Sequence, residues 1–253
     1  MDIVIIGSGN VAAVLGRKFK AAGHNIIQIY SRNASAASAL AYEWDTESTN
    51  YISLINKNAD VYIIAVNDDS IAAVTSELLL PGKVVAHTAA SVPKEVLKDV
   101  TPHHGVFYPL QSLRKEMTSL PDVPVFYDGS DEMAKRTLEL LARSIVVDKV
   151  TEAGYEARQK LHVAAVFVSN FTNHLYTLAE DYCKKEGLDF RQLLPLIEET
   201  ALRIRDISPR EVQTGPAFRH DAQTVQKHLE LLKAHPRLQQ LYQQLTGSIQ
   251  QAG

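Results

Sequence analysis

The first half of the chain alternates short apolar runs with stretches of helical character. The apolar runs are rich in β-branched residues, as in parallel sheets whose two faces are covered by helices. This pattern predicts strands at residues 3–6, 25–30, 61–66, 83–87, 105–108, 123–127 and 145–148. It predicts helices at residues 10–22, 34–42, 52–56, 70–79, 93–97 and 131–143.

The β-branched runs stop after Val150, and the later apolar residues recur mostly at helical spacing. That spacing predicts helices at residues 155–185, 190–206, 221–234 and 236–246, with Gly187 as the left-handed residue that ends the first. We therefore expect an α/β domain with a doubly wound parallel sheet over residues 1–150. An all-helical domain is expected over residues 151–253.

A glycine-rich turn follows the first apolar run. The segment Gly7-Ser8-Gly9-Asn10-Val11-Ala12 stands between a predicted strand and a predicted helix, as in the dinucleotide-binding fingerprint of Rossmann domains. The first glycine permits a tight turn, the second lets a diphosphate approach the backbone, and the alanine lets the helix pack near the strand. A glycine turn without a ligand is the alternative. The position at the start of a βαβ pattern favours a Rossmann sheet that binds a dinucleotide.

The residues after the second predicted strand indicate which dinucleotide binds. Ser31, Arg32 and Asn33 stand where an NAD site usually carries an acidic residue for the ribose hydroxyls. Because a guanidinium offers charge-assisted donors to phosphate oxygens, this trio favours the 2′-phosphate of NADP. The alternative for Arg32 is a solvated loop position.

Two further predicted strands end in small and polar residues at the edge where ligands bind in such sheets. These residues, expected to contact the cofactor, are Ala65, Val66, Asn67, His87 and Thr88. Two alternatives stay open. Asn67 suits the N-cap of the following helix, and a histidine at a strand end is often a hydrogen-bonded structural residue.

Composition narrows the classes of partner. A formal net charge of −3 over 253 residues, without long charged runs, offers no basic surface for nucleic acid. The apolar runs are too short to span a membrane, and the amino-terminal residues do not have the pattern of a signal peptide. The single cysteine, Cys183, fits a reducing compartment, so we expect a cytoplasmic protein. The spacing of the histidines indicates no metal site.

The first helix of the second half is apolar around most of its circumference, yet it carries polar residues. At about 100° per residue, His162, Ser169 and Asn173 fall within about 40° of one another. With Asn170, they are candidate catalytic residues: His162 as a general acid, and the others as groups that hold a substrate carbonyl or imine. The alternative is that these groups bond to another helix or across a dimer interface.

The chain resembles a family of bacterial NADP oxidoreductases that join a Rossmann-like domain to a helical domain of unknown function. Wider relatives include pyrroline-5-carboxylate reductase, 6-phosphogluconate dehydrogenase and cofactor-F420-dependent NADP reductases. The resemblance rests on the glycine turn, on Tyr108-Pro109-Leu110-Gln111-Ser112, on the helix over residues 160–173, and on Thr214-Gly215-Pro216-Ala217-Phe218-Arg219-His220-Asp221. It implies two domains, NADP and a homodimer made through the helical domain. The β-hydroxyacid dehydrogenase relatives carry a lysine and an asparagine one helical turn apart, whereas here Lys160 is followed at that distance by Ala164.

These features favour an enzyme that moves a hydride between NADP(H) and a small carbonyl, imine or hydroxy compound bound between the two domains. Within the enzyme class, a deazaflavin partner in place of the organic substrate is an alternative. A non-catalytic NADP-binding sensor or scaffold dimer is the alternative from another class.

Overall fold

The computed structural model describes residues 1–117, 120–146 and 148–252. The chain divides into two compact units, Met1–Ser169 and Asn170–Gly253. The first is an α/β unit, and every regular element described in the second is helical. The predicted fold class is therefore confirmed.

The first unit contains a sheet in the order β3-β2-β1-β4-β5-β6-β7-β8. Its strands are β1 (Asp2–Ile6), β2 (Asn25–Tyr30), β3 (Glu47–Thr49), β4 (Val61–Ile64), β5 (Val84–His87), β6 (His104–Pro109), β7 (Val125–Gly129) and β8 (Val150–Glu152). The strands from β3 to β6 pair in parallel; β7 runs antiparallel to β6 and parallel to β8. The carboxyl ends of β1, β2, β4, β5 and β6 therefore meet at one edge of the sheet.

Helices cover both faces of this sheet. They are α1 (Asn10–Ala21), α2 (Ala34–Trp44), α3 (Asp68–Thr75), α4 (Glu132–Ile145) and α5 (Tyr155–Ala165), with 3-10 turns at Ile52–Leu54 and Lys94–Leu97. Successive side chains of a strand point to opposite faces. Ile3 and Ile5 accordingly pack in one buried cluster with Phe19 of α1, whereas Val4 and Ile6 pack in a second.

Two predictions in the first half were wrong. The strand predicted over residues 145–148 is not found at residues 145, 146 and 148, because Ile145 ends α4 and the last strand begins at Val150; Val147 lies outside the described residues. The sequence pattern also missed β3, whose three residues Glu-Ser-Thr lack apolar character.

The division between the units falls later than the predicted boundary near residue 150. Helix α5 belongs to the first unit, because Arg158 and His162 contact residues of β7 and β6. The division lies instead between Ser169 and Asn170, within the run of helix predicted over 155–185. That run contains α5, a π-helical segment (Val166–Phe171) and α6 (Thr172–Lys185).

The second unit continues with a 3-10 turn (Phe190–Leu193), α7 (Leu194–Arg203), α8 (Ala222–Leu231), a second 3-10 turn (Leu232–Ala234) and α9 (Pro236–Ala252). Gly187 follows α6 at a φ of +71°, as predicted for a left-handed helix end. Asp221 caps α8 by accepting a hydrogen bond from the Thr224 backbone N–H at 3.0 Å. None of the helices in the described ranges combines the length and apolar content needed to cross a bilayer.

Candidate active site

The glycine turn between β1 and α1 leaves space in front of the backbone. Gly7 has a φ of +126°, and a Cβ there would lie 2.2 Å from the Ala65 carbonyl oxygen, so a side chain has no room. Gly9 has extended backbone angles (φ −82°, ψ −170°) and caps α1. No described atom would lie within 4 Å of a Cβ built on Gly9. The open space lies where the first amides of α1 have no intrahelical acceptors, so a diphosphate fits here.

The residues predicted to bind a 2′-phosphate lie around the end of β2. The hydroxyls of Ser8 and Ser31 are 2.8 Å apart. Arg32 is exposed and its Nη2 donates to the hydroxyl of Ser70 on α3 at 3.3 Å, a partner that the sequence analysis missed. Asn33 caps α2, because its Oδ1 accepts a hydrogen bond from the Ala36 N–H at 3.0 Å. This corner presents hydroxyls and one guanidinium, which suit an anionic group.

The other strand-end candidates differ in accessibility. Asn67 holds the N-cap position of α3, is exposed and makes no capping hydrogen bond through its side chain, so it can still contact a ligand. Ala65 is buried and Val66 is half-buried, and the hydroxyl of Thr88 lies 3.5 Å from the Ile64 carbonyl. These three residues lie at the carboxyl ends of β4 and β5 and are less accessible than Asn67.

His87 lies inside the first unit. Its ring is fully buried; Nδ1 accepts a hydrogen bond from the Ala89 N–H at 3.2 Å, and Nε2 lies 3.4 Å from the Pro93 carbonyl oxygen. Burial, reinforced by the nearby charge of Arg158, lowers the pKa of His87 to about 4. The ring therefore supports the segment after β5, which favours the structural alternative over a direct contact with the cofactor.

The carboxyl end of β6 meets α5 through two polar side chains. The Oη of Tyr108 and the Nδ1 of His162 are 3.1 Å apart, and the two rings pack edge to face. Burial raises the pKa of Tyr108, and the negative charge of Asp68 raises it further, so the hydroxyl stays protonated at neutral pH. Tyr108 was not a predicted site residue, although it begins the Tyr108-Pro109-Leu110-Gln111-Ser112 motif.

The end of that motif makes a second contact with the same helical run. The hydroxyls of Ser112 and Ser169 are 2.6 Å apart. The segment is also fastened to α1: Asn10 Oδ1 accepts a hydrogen bond from the Lys115 N–H at 3.1 Å, and Arg17 Nη1 donates to the Lys115 carbonyl at 2.6 Å. Asn10, predicted to bind the cofactor, thus also holds the segment that carries Ser112.

The angular alignment predicted for His162, Ser169 and Asn173 is interrupted by the π-helical segment. A π-helix closes its hydrogen bonds over five residues and turns less than 100° per residue, so the angular spacing expected between His162 and Asn173 does not hold across Val166–Phe171. His162 and Ser169 meet the Tyr108 motif, as described above. Asn170 and Asn173 belong to the second unit and are exposed.

A buried group of charges lies on the same face of the sheet as Tyr108. Nη1 of Arg158 donates to Oδ2 of Asp128 at 3.2 Å and to the Ala153 carbonyl at 2.7 Å. The other oxygen of Asp128 accepts from Lys94 Nζ at 2.7 Å. None of these three charged residues was predicted as part of a site. The one signal in the sequence is Asp128, a carboxylate that directly follows the apolar run of β7.

Lys160, which stands where the β-hydroxyacid dehydrogenase relatives carry a lysine, makes no contact with these residues. It is about 75% exposed and pairs with Glu156 on the surface of α5 at 2.6 Å. Across the described ranges, no three His, Cys, Asp or Glu side chains are grouped so that they could hold a metal ion.

The sheet order, the glycine turn and the open space at Gly9 define a dinucleotide-binding Rossmann protein. Residues 2–91 match the family described as NADP oxidoreductase coenzyme F420-dependent, and residues 123–249 match the family described as Domain of unknown function (DUF2520). The chain belongs to this family of two-part oxidoreductases that use a nicotinamide dinucleotide. No curated protein matches the sequence.

Several solved structures share the fold. A candidate NADP oxidoreductase from Bacteroides fragilis is 37% identical, with 99% of this chain and 98% of that chain covered at a TM-score of 0.91. A 1-pyrroline-5-carboxylate reductase from Streptococcus pyogenes is 13% identical (99% and 98% covered, TM-score 0.66). An imine reductase from Myxococcus stipitatus in complex with NADP+ is 14% identical (100% and 94% covered, TM-score 0.66). The last two are similar in fold.

Proposed function

We propose that the chain transfers a hydride between NADP(H) and a small carbonyl, imine or hydroxy compound, and that Tyr108 and His162 handle the accompanying proton. The observation that carries the proposal is the 3.1 Å contact between Tyr108 Oη and His162 Nδ1. It lies at the carboxyl edge of the sheet, where the glycine turn also lies and where such sheets bind their ligands. When bound, the dinucleotide supplies or accepts the hydride.

Three features support NADP over NAD. Arg32, Ser31 and Ser8 gather a guanidinium and two hydroxyls at the end of β2. The position after that strand carries no carboxylate to bind both ribose hydroxyls, as NAD sites usually do. The imine reductase of similar fold was solved with NADP+.

The Tyr108–His162 pair can donate a proton to the reduced substrate. As the carbon of a C=N or C=O bond takes up the hydride, its nitrogen or oxygen gains the bonding electron pair and accepts the proton of the Tyr108 hydroxyl. His162 then returns a proton to the Tyr108 oxygen, and the imidazole is reprotonated from water. Oxidation of a hydroxy compound or amine follows the same path in reverse. Ser112 and Ser169, whose hydroxyls meet about two helical turns farther along the same helical run, offer hydroxyls for orienting a polar substrate.

The test is turnover by the purified protein with NADPH or NADP+ against panels of carbonyls, imines and hydroxy acids. Y108F and H162Q should each lower kcat by about 10²- to 10⁴-fold, the range for loss of a general acid or base. Both should leave the Kd for NADPH unchanged. Y42F is the matched control, because Tyr42 is about 92% exposed on α2. Wild-type turnover in both variants would contradict the proposal.

Two alternatives are outcomes of the same experiment. The match to a family described as coenzyme F420-dependent favours including a reduced deazaflavin in the panel. If turnover is seen only with the deazaflavin, the deazaflavin exchanges the hydride with NADP(H) in place of an organic substrate. Tight NADPH binding without turnover on any panel would favour a non-catalytic sensor or scaffold.

We further propose that two copies of the chain pair through the helical unit. Of the described residues from 170 to 252, only Cys183, Ala217, Leu232 and His235 are buried, which is too few to close a core. Large apolar side chains remain exposed there, among them Leu196 at about 65%. A second copy would supply the missing apolar contacts. Sedimentation should show a dimer that L196E dissociates; a wild-type monomer at micromolar concentration would contradict the pairing.

Composition supports a small-molecule substrate over a macromolecular one. The net charge of −3 gives no basic surface for nucleic acid. The single cysteine fits a reducing compartment, so we propose that the protein works in the cytoplasm.

A further inference from the structure

The buried ion pair between α5 and β7 is unusual in its burial and its incomplete hydrogen bonding. Arg158 is fully buried, and Asp128 is almost as inaccessible. Arg158 Nε and Nη2 have no hydrogen-bond partner among the described residues. An unsatisfied buried donor is costly, because it has given up its hydrogen bond to water without replacing it. A buried ion pair of this kind adds little net stability over apolar packing, so stability alone does not account for it.

Asp128 of this ion pair is in register with residues of β6 and β5. His87 of β5 is in register with Val106 of β6, and Val106 is in register with Asp128 of β7. Neighbours in register point to the same face of a sheet. Tyr108 is two residues beyond Val106 on β6, so it points to that same face. Asp128 and Tyr108 therefore lie on adjacent strands, on the face that α5 contacts, two residue levels apart along the strand direction.

The distance between the levels of Asp128 and Tyr108, measured along the strand direction, matches the distance between Arg158 and His162 along α5. Two residues of strand, from the level of Asp128 to that of Tyr108, span about 6.6 Å. Four residues of helix, from Arg158 to His162, span about 6 Å and return to the same helix face. The contact of Arg158 with Asp128 therefore brings His162 level with Tyr108. A shift of one residue along α5 would rotate His162 by about 100° and break its contact.

We propose that Arg158 is a positioning residue, whose ion pair with Asp128 fixes the register of α5 so that His162 Nδ1 meets the Tyr108 hydroxyl. Arg158 acts through His162 and touches no substrate. Lys94, which binds the second oxygen of Asp128 at 2.7 Å, holds that carboxylate in place. The effect on turnover rests on the proposed function, whereas the effect on the geometry of the Tyr108–His162 pair does not.

The test compares R158K and R158M with K160M. Lysine keeps the charge but lacks the forked guanidinium, and methionine removes the charge. K160M is the matched control, because Lys160 lies two residues away on the exposed face of the same helix. In both Arg158 variants we expect kcat to fall tenfold to a hundredfold, the scale of a displacement of about 1 Å at a reacting group. The Kd for NADPH should stay unchanged, because the glycine turn is not altered.

A second readout separates this inference from the proposed function. The imidazole resonances of His162, assigned by comparison with H162Q, report its contact with Tyr108 in the protein without substrate. R158K should shift these resonances in the direction that Y108F does, and K160M should leave them in place. Folded R158K with unchanged His162 resonances and unchanged kcat would overturn the inference. If the wild-type protein shows no turnover, the proposed function fails and the resonances alone decide whether Arg158 positions His162.

Discussion

Replacing Gly9 with alanine tests whether a diphosphate lies against the first turn of α1. Gly9 has φ −82° and ψ −170°, which any residue adopts, and a Cβ there meets no described atom within 4 Å. Losing a glycine from the unfolded chain stabilises by about 0.4 to 1 kcal/mol. A poorer N-cap costs about as much. The free energy of unfolding should therefore change by no more than about 0.5 kcal/mol.

The same methyl group should weaken cofactor binding, because it takes up the space in front of the amides. Hydrogen bonds from backbone N–H groups to a charged oxygen contribute about 1.5 to 3 kcal/mol each. Weakening two of them by half costs about 1.5 to 3 kcal/mol, which is roughly a 10- to 150-fold rise in the Kd for NADPH.

The assay for G9A is calorimetric titration with NADPH alongside urea unfolding. G154A is the matched control, because Gly154 is also an extended N-cap glycine with open space around it, at the start of α5. It should leave the Kd unchanged. Wild-type NADPH binding by folded G9A would refute the placement of the diphosphate.

Three further perturbations test separate parts of the first unit. R32A should raise the Kd for NADPH about tenfold or more and leave the Kd for NADH unchanged. R114A, at an exposed arginine, is the control and should alter neither Kd. Equal losses of affinity for both dinucleotides would contradict a role of Arg32 in binding the 2′-phosphate. The pKa of His87 is about 4 in the folded protein and about 6.5 in an unfolded chain. Between these two pH values the unfolded chain binds more protons than the folded protein. The free energy of unfolding should therefore fall by up to ~3 kcal/mol as the pH drops from about 6.5 to about 4. Urea titrations of H87N should be flatter from pH 6.5 to 4.5, and an equal slope would exclude His87 as the cause. D131A removes the N-cap of α4, whose Oδ1 accepts the Ala134 N–H at 2.8 Å, and should cost about 1 kcal/mol by urea unfolding; no loss would argue against the cap.

Most of the fold could be predicted because its elements follow local rules. The buried parallel strands are continuous apolar runs, and Gly187, Asp221 and Pro236 mark helix ends by their own backbone or side-chain chemistry. The errors lie where tertiary contacts decide. Strand β3 forms because Gln28 to Tyr30 offer it a ladder partner, not because its sequence favours a strand.

The geometry of the glycine turn could be predicted from the sequence, whereas the contacts around Tyr108 and His162 could not. The glycine turn is a motif of consecutive residues, so its geometry follows from the sequence. Arg158 and Asp128 are 30 residues apart and meet through the register of β6, β7 and α5. The π-helical segment likewise changes the rotation per residue around the helix axis, so positions after it cannot be predicted from a regular 100° spacing.

The segment that follows β6 has no regular structure of its own in the part that the structure describes, but contacts hold it at several points. Tyr108 and Ser112 stand at the two ends of a five-residue motif, and each meets a side chain of the following helical run. The chain beyond Ser112 is tied at Lys115 to α1, the helix whose first amides face the open space at Gly9. A site held by such second contacts keeps its groups within the narrow tolerance that proton transfer needs. The contact between Tyr108 and His162 therefore has supporting contacts on two sides, from α1 through this segment and from the Arg158–Asp128 pair, to which we assign the positioning of α5.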